Sequence, residues 1–403
     1  MTSIKSKTRW LNRTVLAIGL TSLFSDWSHE IATAVLPAFL ATMGVAAAWL
    51  GIIEGVSDGL SSFTKMGSGY YTDKLRRRKP IAVFGYALTA LATASFALAT
   101  QGWHVLIGRA SERLGRGLRQ PVRKALLAAA VTPETYGRAF GFERMMDTLG
   151  AIVGPASAFV LLPLLHHSYP KLFALTIIPG LIAAGLIAFA VKETKREPIA
   201  HVPFRQQVRE LPKLYKQMLV GVGLFGCGAF AHSMLILLAT QRLMPTMGAA
   251  VAASIAVGLY LLHNVFYAAF AFAGGWLADR VPKNLLLALG YTLAALMAIA
   301  IIALPVSVWT LALIFILGGT NVGLEETLED SLAAELVTKE HHGMAFGVMA
   351  SVNGIGDFIS SVVVGILWSA VSVSVAFGYS AVLSIGGAVI ILFLPLHPRK
   401  VAK

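Results

Sequence analysis

Residues 69–79 read GYYTDKLRRRK, and residues 275–283 read GWLADRVPK. Gly69 and Asp73 of the first stretch recur as Gly275 and Asp279 of the second, an offset of 206. Two more anchors keep that offset without a gap. Gly137, Ala139, Phe140 and Gly141 recur as Gly343, Ala345, Phe346 and Gly347, and Phe24 recurs as Phe230. Three anchors in three regions on one register identify an internal duplication.

The composition says what is duplicated. Of 403 residues, 56% are apolar and 13% are charged, with a mean hydropathy of +0.72. A soluble domain carries roughly a quarter charged residues, so a chain of two or three soluble domains is excluded. Apolar runs near 14–40, 47–71, 81–100, 103–130, 138–163 and 171–191 are followed by runs near 215–240, 251–278, 285–304, 308–336, 343–369 and 373–395. Each is long enough for a bilayer, and backbone satisfaction in lipid makes them helices. The expected fold is an all-α membrane protein of twelve transmembrane helices in two pseudo-symmetric six-helix bundles. Residues 1–191 form the first bundle, 192–214 a cytoplasmic linker and 215–403 the second bundle. The N-terminal tail, residues 72–80, 119–138, 192–216, 279–284, 337–342 and the C-terminal tail hold 26 of the 33 Lys and Arg. By the positive-inside rule both termini are cytoplasmic. The net charge of +13 is thereby a topology signal, and no nucleic-acid partner is implied. The single cysteine, Cys227, excludes a disulfide scaffold and a multi-thiolate metal site. No cleavable signal is expected, because the first apolar run contains Asp26, His29 and Glu30 and lacks a small-residue cleavage pattern.

Through these residues the chain resembles the major facilitator superfamily of secondary transporters. The family's hallmark, Gly-x-x-x-Asp-(Arg/Lys)-x-Gly-(Arg/Lys)-(Arg/Lys), is matched by Gly69, Asp73, Lys74, Arg77 and Arg78, with Arg76 at the glycine position. The second copy keeps Gly275, Asp279, Arg280 and Lys283. Pro133 to Gly141 and the fourth-helix residues Arg113, Arg116 and Gly117 fit further family patterns, with Arg116 in place of glutamine. A fifth-helix signature associated with antiporters is matched at Gly150, Gly154 and Pro155, while its final glycine pair is Ala158 and Phe159. The resemblance implies two six-helix halves, alternating access and a site near the bilayer midplane. At the end of helix 2, Asp73 can accept bonds from helix ends of the opposite half. A latch there is one reading, and a basic run that only fixes topology is the other. Likewise Gly150 and Gly154 either mark antiport or provide ordinary close helix packing.

Charge inside the helices costs about 2.5–3.5 kcal/mol at mid-bilayer and therefore marks function. At about 1.5 Å per residue, Asp26, Asp58 and Asp147 fall near mid-depth. The offset maps them to His232, Asn264 and Asn353, a polar ring about the pseudo-twofold axis. Asp26, His29 and Glu30 share one helical face. His232 and His263 are candidate partners opposite. Asp26 or Glu30 is the preferred coupling carboxylate, exchanging a proton for substrate, against the alternative of a permanent ion pair. Glu54 and Asp357 complete the candidate path. Arg113 is left without a counter-ion if Glu112 pairs with Arg109 and Arg116. The resemblance links the matching arginine to proton release or to substrate: beside Asp26 or Glu54 it would help eject that carboxylate's proton, and the alternative is that it satisfies backbone carbonyls.

Helices 4 and 10 carry opposite charge at equivalent positions. Arg119, Gln120, Arg123 and Lys124 map to Glu325, Glu326, Glu329 and Asp330. The like-charge i,i+4 acids need cations nearby, supplied by Arg138, Arg144 or the other half. An inter-helix charge network and gate is expected, with Arg123 and Glu329 the pair to test, against the alternatives of a cation exit site or a solvated face. No HExxH and no P-loop occurs, so an enzyme is not expected and no cofactor is implied. The expected function is a proton-coupled exporter of a small polar, cationic or metal-chelate solute; whether metal binds is left open. A proton symporter importing an organic anion or siderophore-like compound is the alternative, and a sensor on the same fold a third. The expected setting is a monomer in the inner membrane of a bacterium, with protons, lipids and a small solute or ion as partners.

Overall fold

The computed structural model describes residues 10–44, 47–193, 203–230 and 232–395. All regular structure among them is helical. The first half holds α1 (Arg13–Thr42), α2 (Ala47–Asp73), α3 (Lys79–Ala94), α4 (Gly102–Ala130) and α5 (Tyr136–Leu164). Its sixth pass is built from α6 (Tyr169–Leu175), α7 (Ile177–Gly185) and a π-turn over Leu186–Ala190. A short linker helix, α8 (Phe204–Glu210), leads to the second half. There, α9 (Lys213–Gly226) and α10 (His232–Met247) share the seventh pass. They are followed by α11 (Ala249–Ala278), α12 (Lys283–Ala303), α13 (Val308–Leu336), α14 (His342–Ala370) and α15 (Val373–Leu392). Counted in this way, the described residues form twelve helical passes. Among the described residues eight helices are long and apolar enough to cross a membrane by length and composition. Helix α4 is too charged to be one of them, and α9 and α10, at 14 and 16 residues, are too short singly.

Local chemistry explains the boundaries. The Asn12 side chain accepts the amides of Thr14 and Val15 at 2.9 and 3.0 Å, capping α1, and donates to the Ala130 carbonyl at the end of α4. Ser307 and Thr310 form a reciprocal capping box at the start of α13. Gly248, at φ +78°, makes the tight turn into α11 that a side chain would strain. The seventh pass differs from the single run expected over 215–240. It breaks after Gly226, and the distant helix α15 satisfies the freed carbonyls. Tyr379 donates to the Cys227 carbonyl at 2.9 Å and Ser380 to that of Gly228 at 2.5 Å. Irregular backbone at membrane depth requires such partners.

The apolar core is shared at one end and divided at the other. One buried cluster runs through both halves, from Val15, Tyr136 and Phe140 to Tyr291, Leu328 and Phe346. It lies at the end that carries the basic loops. Towards the far end each half has a cluster of its own, around Leu36, Phe96 and Phe173 in the first and Leu238, Phe315 and Phe377 in the second. The halves meet chiefly through α2 against α14 and α5 against α11. Glycines permit the close approach. A methyl on Gly69 would strike the Gly343 carbonyl, and one on Gly275 the Gly137 carbonyl. The molecule is therefore shut at its basic end.

Candidate functional site

Two carboxylates fasten the shut end, each on the first turn of a helix from the opposite half. Asp73, at the end of α2, accepts the amides of Gly343 and Met344 at 3.1 and 2.7 Å. Asp279, just past α11, accepts the amides of Gly137 and Arg138 at 2.9 and 3.2 Å. Helix N-termini present unpaired amides and partial positive charge, so a carboxylate is the fitting partner. The two sites differ in their cation. Arg78 of the same loop donates to Asp73 at 2.5 Å and reaches the Lys339 and Glu340 carbonyls across the interface at 3.3 Å. Arg138 of the opposite half donates to Asp279 at 2.6 Å. Glu340 itself is held below the ordinary carboxylate range by its own amide and the Thr338 hydroxyl. Of the family-pattern basic residues, Arg77 is exposed, Lys74 sits over Tyr70, and Arg280 sits over Trp276.

Inside the first half, α1 and α4 are zipped by charge in a single antiparallel register. Arg123 donates to Ser22 at 2.7 Å, Arg116 to Asp26 at 2.7 Å and Arg109 to Thr33 at 3.3 Å, while His29 lies 3.3 Å from Glu112. Glu112 is fully buried between Arg109 and Arg113, at 3.5 and 3.8 Å, and Glu30 stands 3.7 Å from His29 with a quarter of its side chain exposed. One expectation for helix 4 is corrected here: Arg116, not Arg113, takes Asp26, while Arg113 approaches Glu112, and the other expected neighbour of Arg113, the Glu54 side chain, lies outside the described residues. Below this, Arg123 binds Glu143 and Asp147 at 2.9 and 3.4 Å, so Asp147 belongs to an ion-pair cluster with Arg123 and Arg144. Gly150 and Gly154 seat α5 against this part of α1. A methyl on Gly150 would strike the Leu23 carbonyl and approach Asp26 Cβ to 3.0 Å, and one on Gly154 would come to 2.5 Å from Glu30 Cβ. Pro155 faces outward.

Between the halves, Lys124 pairs with Asp330 at 2.6 Å. These residues are 206 apart, so equivalent positions of the two copies meet on the pseudo-twofold axis. Phe140 and Phe346, also equivalents, pack near it as a tilted pair with centroids 5.7 Å apart. Arg144 adds a second cross-link, to Glu326 at 3.0 Å and Asp330 at 3.8 Å, and the Tyr267 hydroxyl also donates to Glu326. The expected pairing of Arg123 with Glu329 does not occur. Arg123 stays with Glu143, and Arg119 stacks on Tyr86 at 4.1 Å within its own half. Glu329 instead accepts from Tyr291 at 2.6 Å and from Asn353 at 2.8 Å. Glu325 is half-buried and within electrostatic reach of Glu326, Glu329, Asp357 and Arg144.

The remaining predicted path residues scatter. Asn264 donates to Tyr260 within its own helix. His263 is buried against Gly318 and Gly319 of α13 and stacks with Tyr260. Asp357 is exposed on α14, within electrostatic reach of Lys65 of α2. The side chains of Glu54, Asp58 and His232 lie outside the described residues. Among the described residues no group of three or more His, Cys, Asp or Glu could hold a metal ion. Lys65 and Glu143 were not singled out from the sequence, whereas Arg78 and Arg116 entered as family-pattern residues and Lys124, Arg144 and Asp330 as charged residues of the expected gate. For Lys124 and Asp330 the opposite charges at equivalent positions were the available signal.

Comparisons with known proteins agree with this architecture. A family model described as Major Facilitator Superfamily matches residues 16–260 and 223–403. An uncharacterised MFS-type transporter of Methanocaldococcus jannaschii is 28% identical over 386 residues, covering 96% of each chain. Multidrug resistance protein MdtH of Photorhabdus laumondii is 34% identical over 109 residues, 26% of this chain and 27% of its own. The transporter FucP in its outward conformation superposes with a TM-score of 0.76 at 15% identity, covering 96% of this chain and all of FucP. With duplicated halves, a carboxylate of each half seated on a helix N-terminus of the other, and a family match over nearly its whole length, this chain belongs to the Major Facilitator Superfamily.

Proposed function

We propose that the chain is a secondary transporter working by alternating access, exporting a small polar or cationic solute, or its metal chelate, in exchange for protons. The observation that carries this reading is the divided core: one shared cluster at the basic end and two separate clusters at the far end. With the basic loops cytoplasmic, this is the outward-facing arrangement, in keeping with the likeness to FucP in that conformation. Asp73 and Asp279 then act as latches that part when the cytoplasmic side opens. The partial likeness to MdtH, a multidrug resistance protein, favours export.

Charge balance favours a cationic cargo. The guanidinium groups of Arg109, Arg116 and Arg123 are committed to carboxylates or hydroxyls, whereas Glu30 and Glu326 keep 26% and 35% of their side chains exposed. Asp26 and Glu30 are where proton and substrate compete, with Arg116 taking Asp26 when neither is bound. The second reading, proton-coupled uptake of an organic anion, draws on Arg113 and Arg116, exposed by 19% and 22% in the same path. FucP itself is described as a fucose:proton symporter.

Proteoliposomes with an imposed pH gradient test the proposal. A panel of organic cations, metals, chelates and organic acids is screened for flux, and hits are repeated with Asp26→Asn. Export of a cation that drives proton uptake, lost in Asp26→Asn, is the expected result. Unchanged pH-driven flux in Asp26→Asn removes Asp26 from coupling, and uptake of an organic acid with protons selects the second reading.

A further inference from the structure

We propose that Glu329 of α13 is the proton-carrying group that decides whether the basic end is shut. The role deepens the exchange reading, and rests on it only for its use in transport. The buried carboxylates Asp26, Asp73, Glu112, Glu143, Asp147 and Asp330 each have a cation within ion-pair distance. Glu329, 2% exposed, has none among the described residues. Its two oxygens are held by neutral donors of its own half, the Tyr291 hydroxyl from α12 and the Asn353 amide from α14. Such a seat suits both protonation states. A tyrosine hydroxyl donates to a carboxylate and can turn to accept from a carboxylic acid, while the asparagine amide donates to either. Taking up a proton therefore breaks no bond that is not replaced.

The neighbours of Glu329 make its proton sense the interface. On its own helix stand Glu325 and Asp330, and from α9 the buried Tyr215, whose hydroxyl donates to the Ala345 carbonyl at 2.7 Å. From the opposite half α4 supplies Lys124, on Asp330, and α5 supplies Arg144, on Glu326 and Asp330, with Glu143 behind. When the basic end is shut, two cations from the first half stand beside the acidic face of α13 and favour its ionised form. When α4 and α5 withdraw, both cations leave with them, and Glu329 remains among like charges with only neutral donors. Proton uptake then removes the repulsion. Proton binding and opening of the basic end are thus linked, and the linkage is reciprocal.

Spin-label distances across the basic end test this without any substrate. In a Cys227→Ser background, labels are placed at Arg76→Cys in the first half and Lys213→Cys in the second, both exposed sites. The protein in lipid nanodiscs is titrated from alkaline to acid pH. The wild-type distance is expected to lengthen in one step on acidification. Glu329→Gln, neutral at every pH, is expected to give the long distance throughout, with the step lost. Asp330→Asn, which breaks the Lys124 pair but leaves Glu329, is expected to lengthen the distance overall and keep the step. A wild-type step that survives in Glu329→Gln, or a flat wild-type titration, overturns the proposal. Monodisperse elution and an unchanged helical spectrum show that each variant has folded. Absence of flux in vesicles with the pH step intact overturns the exchange reading instead.

Discussion

Asp73→Asn keeps the shape of the latch and removes its charge, and its effect on the shut end can be worked from the contacts. The carboxylate accepts two amides of the first turn of α14, at 3.1 and 2.7 Å. An asparagine offers one acceptor oxygen, so one amide loses its partner and the negative charge at the helix N-terminus disappears. A hydrogen bond to a charged group contributes about 1.5–3 kcal/mol, and the helix-end charge adds about 0.3–1 kcal/mol. Arg78 also loses its counter-ion, but that pair lies within one half, so the difference between the shut and open forms is set first by the two amide bonds that cross the interface. The net bias against closure is about 2–4 kcal/mol, or roughly 30- to 1000-fold in the ratio of the two forms. Hydrogen exchange in nanodiscs reads this directly through the amides of Gly343 and Met344. Their exchange is expected to rise by that order, with a smaller rise at Gly137, where the Asp279 latch is intact. Unchanged protection over residues 342–350 in a folded Asp73→Asn protein would refute the latch.

Other perturbations probe separate parts of the structure. Gly150→Ala forces a methyl onto the Leu23 carbonyl beside Asp26; overpacking of this kind costs about 1–3 kcal/mol, so a lower melting temperature and reduced transport are expected. Lys124→Asp or Asp330→Lys alone puts like charges at 2.6 Å spacing on the axis. Breaking such a buried pair costs about 3–5 kcal/mol, and the double swap is expected to recover most of it in thermal denaturation; no recovery would argue against direct pairing. Tyr291→Phe keeps the stack on Phe225, whose centroid is 3.8 Å away, but withdraws one donor from Glu329. A loss of about 1–3 kcal/mol in stability follows, and the pH step described for the basic end is expected to move towards higher pH because the ionised form has lost a partner.

Much of this molecule is legible in its sequence because lipid leaves few choices: apolar runs of bilayer length become helices, and basic loops collect at one end. The polar pairing was less legible for a geometric reason. Arg109, Arg113 and Arg116 share a face of α4, and spacing alone cannot say which turn meets Asp26. That depends on the stagger between α1 and α4, a relation between two helices that the spacing along either one does not carry. Once one contact is known the rest follow, because α1 rises from Ser22 to Thr33 while α4 descends from Arg123 to Arg109. The break after Gly226 was hidden similarly, since its compensating donors, Tyr379 and Ser380, lie on the last helix.

The duplication also explains why opposite charges could be placed on the axis at all. Equivalent positions of the two copies meet there, as Lys124 with Asp330 and Phe140 with Phe346. In a pair of identical, unfused halves each side chain on the axis would face its own copy. A phenylalanine tolerates that, but a lysine or an aspartate would face a like charge out of water, at a cost of several kcal/mol. Fusion into one chain releases the constraint and lets one copy become basic and the other acidic. Among the described residues, the same divergence leaves α13 with Glu325, Glu326, Glu329 and Asp330 against Lys124 and Arg144 from across the interface. The acids outnumber those cations, so when the end shuts at least one carboxyl must be stabilised by other means. Glu329, held by two neutral donors, is the one whose surroundings accommodate it with or without its proton.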